Sequence, residues 1–255
     1  MLPPGLAGGL HFRAGTWPPA DDKITLLFVH GAGSSGAFWS DYLEAFAGLN
    51  TLAPDLPGRG GSGGEPGGDI ASRAAAVERF VDALELERVV PVGFSMGGAV
   101  VIEMLLRRPG AYPAAVLLST GAKLRVMPEI LDLIASDYDA YLSGAARLVA
   151  SPDTPPETIA PALADRASCP PPVALSDFRA CDAFDRRPDI GGIEVPVLVQ
   201  AGRDDLLTPP HFAEYLAGHL PRGRLRLFAR AGHFLPVERR DDVVGSIKDF
   251  TKNTS

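Results

Sequence analysis

Short apolar, β-branched runs alternate along the chain with longer stretches in which apolar positions recur every three or four residues. The runs are "ITLLFVH" from Ile24, "TLAPDL" from Thr51, "RVVPVGF" from Arg88, "AAVLLST" from Ala114, "VPVLVQA" from Val195 and "LRLFA" from Leu225. Most are apolar at consecutive rather than alternate positions, the pattern of strands covered on both faces. Between them, "IASRAAAVERFVDALEL" puts Ile70, Ala74, Val77, Phe80, Val81 and Leu84 on one stripe. "MGGAVVIEMLLRR", "PHFAEYLAGHL" and "DDVVGSIKDF" have helical spacing as well. Strand alternating with helix predicts an α/β fold: a doubly wound, mostly parallel sheet built by right-handed crossovers. The N-terminal end, with "LHFRAG" as its clearest piece, adds one or two antiparallel edge strands.

The alternation breaks between Ala122 and Ile190. That segment opens on the helical "MPEILDLIASDYDAYLSGAARLVA", passes through the Pro-rich "SPDTPPETIAP" and "SCPPPVAL", and ends on "DFRACDAFD". Strand-like runs are nearly absent, so residues 122–190 read as a mainly helical insertion between two strands of a core formed by 1–121 and 191–255. Placed after the carboxyl end of a parallel strand, such an insertion lies over the crevice where these sheets bind ligands, which makes it a candidate lid.

The candidate chemistry gathers at strand ends. In "VVPVGFSMGGAV" a buried strand runs through Gly93, Phe94, Ser95, Met96 and Gly97 into a helix, a G-x-S-x-G turn whose small residues let backbone segments approach closely. A tight glycine turn with an ordinary surface serine has the same letters, but the strand and helix around it favour a nucleophile. A serine hydroxyl needs a base, usually histidine oriented by a carboxylate. His233, in "ARAGHFLPVE" after the last strand, stands where a base can reach Ser95, whereas His11 lies near an edge strand and His211 and His219 in a helix. The carboxylate is expected after a strand, between serine and histidine. Asp204 and Asp205 in "GRDDLLTP" both qualify; Asp189 precedes its strand, and Asp55 comes before the serine and is better placed to shape its own turn. "HGAGSSGAFW" brings bare backbone close to a substrate, and the amides of Ala32 and Met96 are the expected donors to an oxyanion. His30 is expected to tie that loop together, and Trp39 to pack on the sheet.

The order Ser95, acid, His233, with "HGAG" upstream, resembles the α/β-hydrolase superfamily, as do "DLPGRGGSGG" and "GHFLPVE". The likeness extends over nearly the whole chain. It implies an α/β-hydrolase fold with residues 122–190 as a cap that shapes the pocket and governs access. In such proteins the acid sits in G-x-x-D-x-x-x-P, and Gly202 and Pro209 then select Asp205. The implied activity is that of a carboxylesterase-like serine hydrolase acting on a small, mostly apolar ester or lactone, with no metal or organic cofactor. Carbon-carbon bond hydrolysis of ring-cleavage products uses the same triad, but the usual H-G-x-G-P-G loop is absent. A ligand-binding protein on the same scaffold is a further alternative. Phe38, Phe94, Met127, Tyr138, Tyr141, Phe178 and Phe184 are expected to line the pocket. Arg125, Arg147 and Arg179 read as solvated surface, with recognition of a substrate carboxylate as the alternative.

Bulk properties narrow the partners. The 255 residues are 46% hydrophobic, enough for one sizeable core. A net charge of -7 and a pI near 5.2 disfavour nucleic acid and anionic membranes, leaving a small molecule as the expected partner. No apolar run approaches a membrane span and no leader pattern opens the chain, so a cytoplasmic protein is expected. The two cysteines, Cys169 and Cys181, suggest reduced thiols rather than a disulfide framework. A homo-oligomer stays open. "GRGGSG", Gly58 to Gly63, matches a dinucleotide fingerprint, but "GEPGGD" separates it from any helix that could receive a pyrophosphate.

Overall fold

In a computed structural model, which describes residues 5–252, eight strands form one sheet. They are β1 (Gly5–Ala7), β2 (Leu10–Ala14), β3 (Thr25–Val29), β4 (Asn50–Pro54), β5 (Val89–Phe94), β6 (Ala115–Leu118), β7 (Val197–Gly202) and β8 (Gly223–Phe228). Their order across the sheet is β1-β2-β4-β3-β5-β6-β7-β8, with β1 and β2 antiparallel at one edge and all other pairings parallel. The helices of the core are α1 (Ser40–Leu43), α2 (Ile70–Ala83) and α3 (Met96–Arg107), followed after the insertion by α8 (Pro210–His219), α9 (Leu235–Glu238) and α10 (Arg240–Lys252).

Consecutive apolar residues in the strands feed two cores. Leu27 and Val29 of β3 join the α2, α3 and α8 side, with Val77, Phe80, Val100 and Leu216, while Leu26 and Phe28 join the opposite side with Tyr42, Val243, Ile247 and Phe250. A strand with a helix layer on each face has no polar face, which is why the alternation of a half-exposed sheet is missing. Helix α2 starts where the sequence can cap it: Asp69 accepts from the Ser72 amide at 2.8 Å, and Ser72 closes a capping box.

Between β6 and β7 lie α4 (Pro128–Ser136), α5 (Tyr138–Leu148), α6 (Pro156–Ala167) and α7 (Pro171–Asp182). The stretch that reads as one helical opening is divided at Asp137, whose φ of -149° interrupts α4 and whose side chain caps α5 through the Ala140 amide at 3.0 Å. The Pro-rich stretches start helices instead of loops. Pro156 and Pro171 sit in the first turns of α6 and α7, where the missing N–H costs nothing and the fixed φ helps. Ile134, Tyr141, Ala145, Cys169, Val173 and Ala174 form a small core of these helices. No described helix is long and apolar enough to cross a membrane.

Glycines discriminate between close packing and open surface. A Cβ at Gly97 would meet the Val29 carbonyl oxygen at 2.2 Å, whereas a Cβ at Gly144, inside α5, meets nothing within 4 Å. Gly97→Ala is expected to lower the unfolding free energy by about 2 kcal/mol or more, because backbone must move. Gly144→Ala is expected to raise it by up to about 1 kcal/mol through helix propensity. Urea unfolding of both variants against the parent checks the pair.

Candidate active site

Strand β5 ends at Phe94 and α3 begins at Met96, so the whole reversal falls on Ser95, at φ 53° and ψ -118°. Positive φ is strained for a residue with a Cβ. Glycines make room for it: a Cβ at Gly93 would lie 2.3 Å from the Gly97 carbonyl oxygen, and one at Gly98 2.5 Å from the Thr120 side chain. The Ser95 amide donates to the Leu118 carbonyl at 2.9 Å. Its carbonyl accepts from the Gly98 amide and the Thr120 hydroxyl, both at 2.8 Å. The turn is therefore held from both sides, and the hydroxyl stands at the carboxyl end of the sheet.

His233 meets it from the loop after β8. Its Nε2 lies 3.0 Å from Ser95 Oγ, and its Nδ1 lies 3.1 and 3.0 Å from Asp205 Oδ1 and Oδ2. Asp205 Oδ1 also accepts from the amides of Leu207 and Thr208 at 2.9 Å each, and Oδ2 from the Thr208 hydroxyl at 2.7 Å. Burial pushes the Asp205 carboxyl up, but its electrostatic attraction to and hydrogen bond with His233, together with the Thr208 donors, outweigh it and hold the group below its ordinary 3.8. With Nδ1–H donated to this carboxylate, Nε2 is the acceptor that faces the serine hydroxyl. Asp204 turns elsewhere: its Oδ2 accepts from Ser151 Oγ at 2.6 Å. Of the two neighbouring aspartates, only Asp205 joins the serine and histidine.

The amides of Ala32 and Met96 donate to no group among the described residues, and Ala32 shares a cavity wall with Ser95 and His233. The loop carrying Ala32 is fixed by its neighbours. His30 donates from Nδ1 to the Gly31 carbonyl at 2.9 Å and accepts the Leu56 amide on Nε2 at 3.1 Å. Burial, then the Arg59 charge, lowers His30 to about 4, so this ring is a neutral tie at pH 7. Asp55 accepts the Gly36 amide at 2.7 Å and the Gly61 amide at 2.8 Å, joining the loop to its own turn.

The inserted helices grip the same loops. Asp177 of α7 accepts the Gly33 amide at 2.9 Å and forms buried ion pairs with Arg59 and Arg73. Asp165 of α6 accepts the Ser34 and Ser35 hydroxyls at 2.5 Å each and the Ser35 amide at 3.0 Å. Glu238 accepts the Gly232 amide beside His233 at 2.9 Å, and also the Ser151 amide at 2.8 Å and the Thr154 hydroxyl at 2.6 Å. Sequence reading passed over Arg59, Arg73, Asp165 and Asp177. A signal was present for two of them: Arg73 falls among Ile70, Ala74 and Val77, and Asp177 among Val173, Ala174, Ala180 and Cys181, charges on otherwise apolar stripes.

A cavity of about 150 Å³ opens over Ser95, with Ala32, Leu124, Ile130, Phe178, Leu207 and His233 in its wall. Met127 and Leu206 line it while 58% and 65% exposed, which puts them at the mouth. Of the residues expected in the pocket, Met127 and Phe178 reach it. Phe38 stacks on Phe94 at 4.9 Å within the core beneath the histidine, and Phe184 is buried in the α3 side of the core. Tyr138 and Tyr141 stack on each other at 5.5 Å in the core of the inserted helices. These aromatics support the walls from behind. Cys181 also lines the cavity, but burial raises its thiol far above neutrality, and Cys169 is raised to about 11; both are free. Both thiols are therefore protonated at pH 7.

Comparison with known proteins places the chain among similar sequences and folds. The model of the family described as "Alpha/beta hydrolase family" matches residues 26–246. A pimeloyl-[acyl-carrier protein] methyl ester esterase of Neisseria meningitidis is 28% identical over 251 residues, 92% of this chain and 95% of that one. The crystal structure of the enol-lactonase from Burkholderia xenovorans superposes with a TM-score of 0.87 at 23% identity, covering 98% of this chain and all of the other. A hydrolase from Pseudomonas aeruginosa superposes with a TM-score of 0.83 at 26% identity, covering 95% and 94% of the two chains.

The buried Asp177 cluster makes a stability prediction. Burial raises the Asp177 carboxyl, but Arg59 and Arg73 and the Gly33 amide hold it below 3.8 overall. A depressed folded-state value stabilises the fold above the unfolded value, and that stability is lost as pH falls through the folded one. Asp177→Asn leaves two buried guanidinium groups without their anion and is expected to cost about 3 kcal/mol or more at pH 7. It is also expected to flatten the acid limb below about pH 4. Denaturant unfolding from pH 7 to pH 3 checks both.

Proposed function

This chain belongs to the alpha/beta hydrolase family, and we propose that it is a serine hydrolase cleaving a small, mostly apolar carboxylic ester or lactone through an acyl-enzyme on Ser95. The observation that carries the reading is the unbroken contact from Ser95 Oγ to His233 Nε2, 3.0 Å, and from His233 Nδ1 to Asp205, 3.0 Å. A base within hydrogen-bond reach of the nucleophile, itself oriented by an ionised carboxylate, is what serine chemistry at neutral pH requires.

In the proposed cycle, Ser95 Oγ attacks the carbonyl carbon as His233 Nε2 takes its proton. Negative charge moves onto the carbonyl oxygen, where the Ala32 and Met96 amides receive it; both lack protein acceptors among the described residues. Asp205 stabilises the imidazolium, which then protonates the departing alcohol. A water deprotonated by His233 attacks the acyl-enzyme and releases the acid, restoring Ser95 and the neutral ring. A lactone follows the same steps, its alcohol remaining tethered to the acid. The cycle uses no metal or organic cofactor. The helical insertion acts as a cap that limits substrate size, and the 150 Å³ cavity supports a small substrate. Free thiols fit a reducing compartment, so the proposed location is the cytoplasm.

Ser95→Ala is expected to lower kcat/KM for a short-chain 4-nitrophenyl ester by about 10⁴-fold or more. Comparable turnover in that variant would contradict the reading. Asp205→Asn is expected to cost about 10³- to 10⁴-fold in kcat while the fold persists. Asp204→Asn, which loosens only the contact to Ser151, should stay within about tenfold of the parent, as one hydrogen bond warrants. Steady-state kinetics with far-UV circular dichroism on all three separates chemistry from folding.

A further inference from the structure

Helix α6 presents Ile159, Ala162 and Arg166 on its buried side, a stripe with a charge at one of its positions. Arg166 is only 5% exposed. Its Nη1 donates to the Tyr141 hydroxyl at 2.8 Å, and its guanidinium carbon lies 5.3 Å from the centre of the Phe234 ring. Among the described residues it forms no salt bridge, and its Nε is buried with no hydrogen-bond partner. The neighbouring carboxylates are engaged elsewhere: Asp165 by Ser34 and Ser35, and Asp177 by Arg59, Arg73 and Gly33. Arg166 lines the cavity that holds Ser95 and His233.

A guanidinium is charged at every accessible pH and carries five donors. Held out of water without an anion it is unfavourable, unlike Arg59 and Arg73, which share Asp177. Arg166 lines the space a substrate would fill, in walls that are otherwise mostly apolar but also include Arg125, whose side chain is exposed. We infer that Arg166 binds a carboxylate of the substrate, so the ester or lactone cleaved at Ser95 bears a second, ionised carboxyl group. The planar fork matches a carboxylate through two parallel hydrogen bonds, and the Tyr141 hydroxyl holds the fork in place. The phenol and the Phe234 face act as a rest for the cation, not as its counter-ion. This inference rests on the hydrolase reading and narrows its substrate class.

The test pairs esters that differ in one charge. 4-Nitrophenyl pentanoate against mono-4-nitrophenyl glutarate places the carboxylate on the acyl side, and 4-carbamoylphenyl pentanoate against 4-carboxyphenyl pentanoate places it on the alcohol side. Each kcat/KM is divided by the rate of hydroxide hydrolysis. At least one anionic ester is expected to exceed its neutral partner by about tenfold or more in the parent, the size of one good charged contact. In Arg166→Gln that ratio is expected to fall towards one, and in Arg166→Lys to be partly kept. Should Arg166→Gln fail to fold, competitive inhibition of the parent decides: glutarate should bind about tenfold more tightly than pentanoate at equal ionic strength. No preference on either pair, a ratio unchanged by Arg166→Gln, or equal inhibition by the two acids overturns the inference. Ser95-dependent cleavage of the neutral esters without an anionic preference removes only the carboxylate, whereas absence of Ser95-dependent cleavage of every ester removes the hydrolase reading too.

Discussion

The backbone at Ser95 is held at φ 53° and ψ -118°, a conformation that L-residues avoid, and the surrounding structure is arranged to keep it there. Strand β5 and helix α3 flank the turn on either side, the Leu118 carbonyl and Thr120 hydroxyl bind its backbone, and Gly93 and Gly97 leave room for neighbouring backbone and Gly98 for the Thr120 side chain. The strain has two chemical consequences. The hydroxyl is presented clear of the strand, and the first amide of α3, that of Met96, is left free at the same point. A looser turn would give up both together.

Around this point the inserted helices work as a brace. Their carboxylates Asp165 and Asp177 hold the loop that carries Ala32, and their linker contributes Ser151 and Thr154 to Glu238, whose other contact is the amide next to His233. The insertion is thus bonded to the segments flanking the Ala32 amide and the imidazole. Moving it as a body would break a buried ion cluster and several charged hydrogen bonds at once. Substrate access through the mouth at Met127 and Leu206 asks far less of the structure.

Much of this was legible in the sequence because it is encoded locally. Consecutive apolar residues marked the parallel strands, G-x-S-x-G between strand and helix marked the turn, and the histidine stood after the last strand. The two aspartates of "GRDDLLTP" could not be separated by charge or burial. Their difference is tertiary: Thr208 and His233 converge on Asp205, and Ser151 takes Asp204. The inserted helices were harder still. Proline at a helix start and proline in a loop have the same letter, so α6 and α7 were read as Pro-rich stretches. Aromatic residues expected in the pocket, such as Tyr141 and Phe184, went to the cores behind it because helical spacing does not say which of two apolar environments a face will meet. The charges on apolar stripes, Arg73, Asp177 and Arg166, were visible letters whose meaning depends on partners distant in the chain.

The central claim is that the strained turn makes Ser95, and no other hydroxyl, the nucleophile of this chain. Incubation with a fluorophosphonate, followed by peptide mass spectrometry, measures this directly. The account predicts one covalent adduct, located on Ser95, forming much more slowly in Asp205→Asn. An adduct on another serine, or undiminished ester turnover with Ser95 unmodified, would contradict it.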